Sequence, residues 1–252
     1  MKKKTANTDG ALPGPLISQK IKRRKARLAR FLLAWSQNHS PKYPWRQTSD
    51  PYHVMVAEML LRRTRAHTAT IVYEQFLERF PTVFTLAGAR EDEIRRIIRP
   101  LGIVSRFKSI KSAARSIVEK YGGIFPFTER ELRDALGNGS RYTVNAIKCF
   151  AFGQRVPIFD VNVKRIFERV FSVDFGKEPH KRPLSWEIVS EAVPRESVKQ
   201  YNWSLLDLGK AVCVPVNPRC GICPLQKICD YGSKRARQLA GLQSSSRESL
   251  KR

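Results

Sequence analysis

The chain has 252 residues, 42% of them hydrophobic, and a formal net charge of +25. That apolar content supports a buried core and excludes a disordered chain, and no run of about 18 uncharged apolar residues is present to cross a membrane. The lysine-rich N-terminus has no apolar segment behind it and so is not a secretory signal.

The charge is spread along the sequence. Residues 1–24 hold seven Lys/Arg against one Asp, and residues 233–252 hold six against one Glu, leaving +14 on residues 25–232. Basicity on this scale points to a polyanion, nucleic acid before anionic membrane. The two ends, 1–24 and 233–252, read as a basic flexible arm and a basic flexible tail able to add non-specific phosphate contacts.

Between the ends the chain reads as helices. Asp50-Pro51, a cap followed by proline at the first helical position, opens YHVMVAEMLLRRT. In REDEIRRIIRPLG the residues Ile94, Ile97, Ile98 and Leu101 recur at i, i+3, i+4, i+7, a helix with one buried face. Thr128 and Glu131 form a capping box for a helix ending near Leu136. Another helix runs from about Tyr142 to Phe152 and stops at Gly153, and VNVKRIFERVF continues the pattern. Alternating β-branched segments are scarce, so the fold class is all-α.

The stretch LGNGSRYT, residues 136–143, joins two of these helices. A helix, a short glycine-containing turn and a second helix outline a helix-hairpin-helix, whose backbone N–H groups can meet a DNA phosphate directly. Gly137 and Gly139 suit that role, because a Cβ would hold the backbone away or forbid positive φ. Asn138 tolerates positive φ, the Ser140 hydroxyl can add a contact, and Arg141 and Thr143 complete the DNA-binding candidates. Alone, this pattern also fits an ordinary structural turn.

A stronger signal is Cys213-x6-Cys220-x2-Cys223-x5-Cys229, four thiols within 17 residues. Such spacing wraps a loop around one metal centre. Nothing suggests the secretion that disulfides accompany. Zinc also takes four thiolates, but the gaps do not form the paired CxxC…CxxC of most zinc modules, which favours a [4Fe–4S] cluster. Cys149, on an apolar helix face, reads as a core residue.

Hairpin and cysteine loop together resemble the endonuclease III superfamily of base-excision DNA glycosylases, the helix-hairpin-helix GPD family. The blocks that carry the resemblance, in order, are PWR (44–46), EMLLRRT (58–64), LGNGSRYT (136–143), FDVNVKR (159–165), NWSLLDLGKAVC (202–213) and the cysteine loop. Family hairpins typically read LPGVG, and this chain departs from that at Gly137–Ser140. The resemblance implies two lobes: a helical-barrel lobe at 44–154 carrying the hairpin, and a cluster lobe of 25–43 plus 155–232. DNA would bind across the cleft where Tyr142 and Asp160 meet.

It also implies roles. The family's aspartate falls on Asp160, to stabilise an oxocarbenium-like sugar or orient water. The lysine that makes endonuclease III a lyase is replaced by Tyr142, and a phenol forms no Schiff base, so lyase activity should be absent or weak. Tyrosine there, with EMLLRRT, looks most like the Mig-type thymine/uracil mismatch glycosylases. Glu58, shared with the MutY and Mig branches, would hydrogen-bond the flipped base or donate a proton. Arg62, which aligns with the family's glutamine wedge, or its neighbour Arg63 would fill the vacated stack. Arg219 and Lys227, between the cysteines, would lie near the DNA backbone.

The implied protein is a cytoplasmic, nucleoid-associated monomer acting on double-stranded DNA that contains a mismatched or damaged base, with no membrane partner. It would be a monofunctional glycosylase for thymine or uracil opposite guanine. The rivals are an adenine glycosylase, disfavoured because the sequence ends soon after the cysteine loop, and a non-catalytic DNA-binding protein, disfavoured by Asp160.

Overall fold

In the computed structural model, residues 14–102 and 106–233 are described, and they contain helices and turns with no strand. The all-α expectation holds. The chain divides into two compact units, residues 41–158 and residues 1–40 with 159–252; the lobes expected from the sequence are 44–154 and 25–43 with 155–232.

The 41–158 unit is built around α2 (Pro51–Leu60), whose residues from Val54 to Leu60 are all buried. A helix apolar on every side belongs in a core. Asp50 starts it by accepting the Tyr52 amide at 2.7 Å, with Pro51 at the first position. It ends at Leu60, so the residues Leu61–Thr64, expected as helix, form a turn instead. Around α2 pack α3 (Ala66–Arg79), α6 (Arg106–Tyr121) and the hairpin's second helix, with α4 (Val83–Gly88) and α5 (Glu91–Ile98) on α6. Of the predicted face, Ile94, Ile98 and Leu101 are buried and Ile97 is half-buried, and Gly102 at φ 75° closes the short turn after α5.

In this unit the hairpin is α7 (Glu129–Ala135), a five-residue connection, and α8 (Arg141–Ala146). Thr128 caps α7 by accepting the Glu131 amide at 3.3 Å. The Glu131 carboxylate, however, accepts the Thr128 hydroxyl rather than reaching back to the backbone. The helix continues from α8 as a π-helical turn, Ile147–Ala151, and Gly153 at φ 67° stops it as expected. Cys149 there is fully buried.

The other unit packs α1 (Gly14–His39) against α9 (Val161–Phe171), α10 (Pro183–Glu191) and α11 (Val198–Ala211). The expectation that residues 1–24 form an arm is corrected over 14–24. Helix α1 begins at Gly14 and buries Ile17 and Ile21, because those residues continue the period of Leu28 and Leu32. Lys20 and Arg24, expected within the arm, pair with Asp230. Residues 1–13 of the arm, and the tail from residue 234, lie outside the described residues.

Candidate active site and cluster loop

The hairpin turn is made by two consecutive left-handed residues, Gly137 at φ 60° and Asn138 at φ 58°. They close α7 with a paired cap. The Asn138 amide donates to the Arg133 carbonyl at 2.9 Å and the Gly137 amide to the Asp134 carbonyl at 3.0 Å. Asparagine is the non-glycine residue best able to hold that conformation, so Asn138 stands in for a glycine. Gly139 needs no positive φ. A Cβ on it would lie 2.7 Å from the Leu136 Cβ, so close packing requires it.

Ser140 is the N-cap of α8, its hydroxyl accepting the Thr143 amide at 3.3 Å. Accepting that amide leaves the hydroxyl further hydrogen-bonding capacity, so capping and the expected DNA contact are compatible. Thr143 is turned inward, 4% exposed, with its Oγ1 3.0 Å from the Ser140 hydroxyl. The Gly139 and Ser140 amides have no acceptor among the described residues and belong to the residues that lead into α8, at whose start an anion is favoured. Arg141 is half-buried and lies 4.0 Å from Glu129, which also lies 3.6 Å from Lys148.

Tyr142 occupies the first turn of α8, half-buried. Glu58 is on α2, which packs against α8, and is 7% exposed. Arg62 and Arg63 lie on the exposed turn after α2, and Arg63 adopts φ 56°.

Asp160 belongs to the other unit, where it is the N-cap of α9. Its Oδ1 accepts the amides of Asn162 at 2.9 Å and Val163 at 2.8 Å, and its Oδ2 accepts Asn162 Nδ2 at 2.7 Å. Capping and a chemical role are compatible. The helix N-terminus favours the negative charge, and Oδ2, which bonds to Asn162 alone, keeps capacity for a further partner. Phe159, the residue before Asp160, is fully buried against Phe175, His180 and Trp186 and anchors the chain there.

The structure ties Asp160 to the cysteine loop through residues absent from the sequence-derived site. Arg165 Nη2 donates to Asn162 Oδ1 at 2.8 Å and to the Gly209 carbonyl at 2.8 Å, while its Nε donates to the Cys213 carbonyl at 2.7 Å. Arg169, one turn on, donates to the carbonyls of Val214 at 2.7 Å and Pro215 at 2.8 Å. A signal for them does exist in the sequence: Asn162, Arg165 and Arg169 recur at i, i+3, i+7, polar residues on one face of an amphipathic helix.

The four cysteine thiols fit an iron–sulfur cluster. Burial pushes the Cys223 thiol up to about 11, and the charges of Cys213, Cys229 and Cys220 push the same way. Burial raises Cys229 likewise. Four thiolates on one short loop call for a compensating cation. Arg169 Nη1 and the Gly232 amide each donate to a sulfur, Cys213 Sγ and Cys229 Sγ, at 3.4 Å, contacts that tune cluster thiolates. Among the described residues no three ligating side chains converge on a single-ion site; around a [4Fe–4S] cluster each of four thiolates takes a different iron, so the sulfurs stand further apart than around one ion. Arg219 and Lys227 are exposed on this loop. Among the described residues no helix is long and apolar enough to cross a membrane.

A helical hairpin with open amides, a capped aspartate and a four-thiol loop define a helix-hairpin-helix repair protein. The family description "HhH-GPD superfamily base excision DNA repair protein" matches residues 56–190, and the iron–sulfur binding domain of endonuclease III matches residues 213–229, beginning and ending on cysteines of the loop. The chain belongs to the HhH-GPD superfamily, a DNA glycosylase that hydrolyses N-glycosyl bonds in DNA and carries a [4Fe–4S] cluster. More particularly, it is 40% identical over 209 residues to a thymine-DNA glycosylase of Aeropyrum pernix, covering 81% of this chain and 93% of that protein. An adenine DNA glycosylase of Buchnera aphidicola is 31% identical over 199 residues, 79% of this chain and 56% of its own length. The solved structure of a thermostable thymine-DNA glycosylase superposes with a TM-score of 0.79 at 28% identity, covering 84% of this chain and 98% of that one.

Proposed function

We propose that the protein is a monofunctional glycosylase that removes thymine or uracil mispaired with guanine in duplex DNA, working as a nucleoid-associated monomer in the cytoplasm. The observation that carries the reading is Tyr142 at the hairpin's exit, on a chain similar to a thymine-DNA glycosylase over nearly that protein's whole length. A phenol cannot condense with the deoxyribose as an amine does, so excision stops at the abasic site.

The target base leaves the duplex at a cost of a few kcal/mol, lowest for a mispair. The open amides of Gly139 and Ser140 hold a backbone phosphate, with Gly137 and Asn138 shaping the turn and Arg141 adding charge. Arg62 or Arg63 enters the vacated stack, Tyr142 lines the base pocket, and Glu58 hydrogen-bonds or protonates the base. As the N-glycosidic bond breaks, positive charge grows on the sugar, and the Asp160 carboxylate stabilises it and orients the attacking water. Asn162 holds that carboxylate in place. Cys213, Cys220, Cys223 and Cys229 hold the cluster, which supplies structure to the loop and takes no part in hydrolysis.

The adenine reading has the weaker support, since that relative is less similar and is matched over 56% of its length. Duplexes carrying T·G, U·G, A·G and A opposite 8-oxoguanine, incubated with the protein and then treated with alkali, decide between them. Cleavage at T·G and U·G is expected. Cleavage only at the adenine mispairs overturns the specificity, and cleavage of none favours a DNA-binding protein without catalysis.

A further inference from the structure

Helix α1 is a 26-residue helix with seven Lys/Arg and no acidic residue. Surface helices ordinarily interleave the two signs, because i,i+4 pairs of opposite charge stabilise them. The seven cations divide by face. Lys20 and Arg24 pair with Asp230, and Lys25 pairs with Glu191 at 2.9 Å, so these three serve the fold. Lys22, Arg23, Arg27 and Arg30 are exposed and meet no acidic side chain among the described residues. Arg23, Arg27 and Arg30 recur at i, i+4, i+7, one stripe on the face away from Ile21, Leu28 and Leu32. The guanidinium groups of Arg27 and Arg30 lie 5.9 and 5.3 Å from the centre of the Phe31 ring, which restrains two of the three.

We propose that this stripe is a second DNA-binding surface, one that takes the phosphate backbone of undamaged duplex through Arg23, Arg27 and Arg30 independently of any flipped base. At 1.5 Å of rise per residue the stripe runs about 10 Å, about three phosphate-to-phosphate steps of one strand at 3.4 Å of axis each. Guanidinium forks suit phosphate oxygens, and binding of this kind carries no sequence information. It would hold the protein on DNA while it searches. An all-cationic face would also serve an anionic membrane; DNA is the occupant argued here because the family acts on it.

The test uses the full chain with its cluster and an undamaged duplex. A triple variant, Arg23→Gln, Arg27→Gln and Arg30→Gln, should lower the slope of log affinity against log salt by about 2.7, at roughly 0.9 for each phosphate no longer neutralised. Between 50 and 200 mM salt its affinity would then fall about 40-fold less than that of the wild type. Arg→Lys at the same three positions should restore most of the slope, an outcome that a merely structural role does not give. Unchanged thermal melting and visible absorbance establish that the fold and cluster persist. With saturating enzyme, single-turnover excision should match wild type, so the result is independent of which base is removed. An unchanged salt slope overturns the proposal, as does a variant whose only defect is in binding phosphatidylserine vesicles.

Discussion

Replacing Gly209 by alanine should harm this protein, although the same change inside most helices helps. Gly209 is buried within α11, and an interior Gly→Ala substitution ordinarily gains about 1 kcal/mol of helix propensity. Here the new Cβ would lie 2.5 Å from the Asn162 Cβ and 3.2 Å from its Cγ, where ordinary contact begins at 3.4 Å. One side must yield by about 1 Å, an overpacking that costs about 1–3 kcal/mol. The propensity gain offsets part of this, leaving a net loss of about 0–2 kcal/mol. The effect on chemistry is larger. Asn162 holds Asp160 Oδ2 at 2.7 Å and accepts Arg165 at 2.8 Å, so its displacement moves the carboxylate. A misplacement of about 1 Å can slow an enzyme about 100-fold. Single-turnover excision from a T·G duplex, beside a melting curve and a binding isotherm, should show the rate falling far more than stability or affinity. A variant that melts higher than wild type and excises at the wild-type rate would refute the reasoning.

Four further outcomes are expected. Asp160→Asn should lower excision at least about 100-fold, on the scale of losing a group aimed at transition-state charge, and leave DNA binding and melting near wild type because asparagine caps a helix as well as aspartate does. Tyr142→Lys should gain strand cleavage at the abasic product, seen on a denaturing gel without alkali; its absence in a variant that still binds DNA would count against the role given to the hairpin's exit. Ser140→Ala should cost about 1 kcal/mol through removal of the α8 cap, read as a lower melting temperature. Burial pushes the Asp230 carboxyl up, but hydrogen bonds from Lys20, Arg24 and Ser172 outweigh it and leave the group below the ordinary carboxylate range. Its stabilisation, about 1 kcal/mol after screening, is present above pH ~3.9 and fades as pH falls through the depressed value. Asp230→Asn should therefore be less stable than wild type at pH 7 and should converge on it in acid unfolding.

Much of the molecule is legible in its sequence, because the signals are local. Asp50-Pro51, the period of Ile94, Ile98 and Leu101, and the stop at Gly153 each depend on a few neighbouring residues. The tolerance of Asn138 for positive φ and the spacing of the four cysteines are equally local facts, and both can be read before any coordinates.

The tertiary structure decided what depends on distant partners. Residues 14–24 are rich in charge and read as an arm, yet Asp230, more than 200 positions away, accepts Lys20 and Arg24 and helps make that segment part of a packed helix. Gly209 is glycine because Asn162, on another helix, lies against it. The span from Asp160 through Asn162 and Arg165 to Cys213 brings a carboxylate and a metal-binding loop onto one helix face. Hydrogen-bonding capacity is written residue by residue, but the partner that satisfies it is chosen only when packing brings distant segments within about 3 Å.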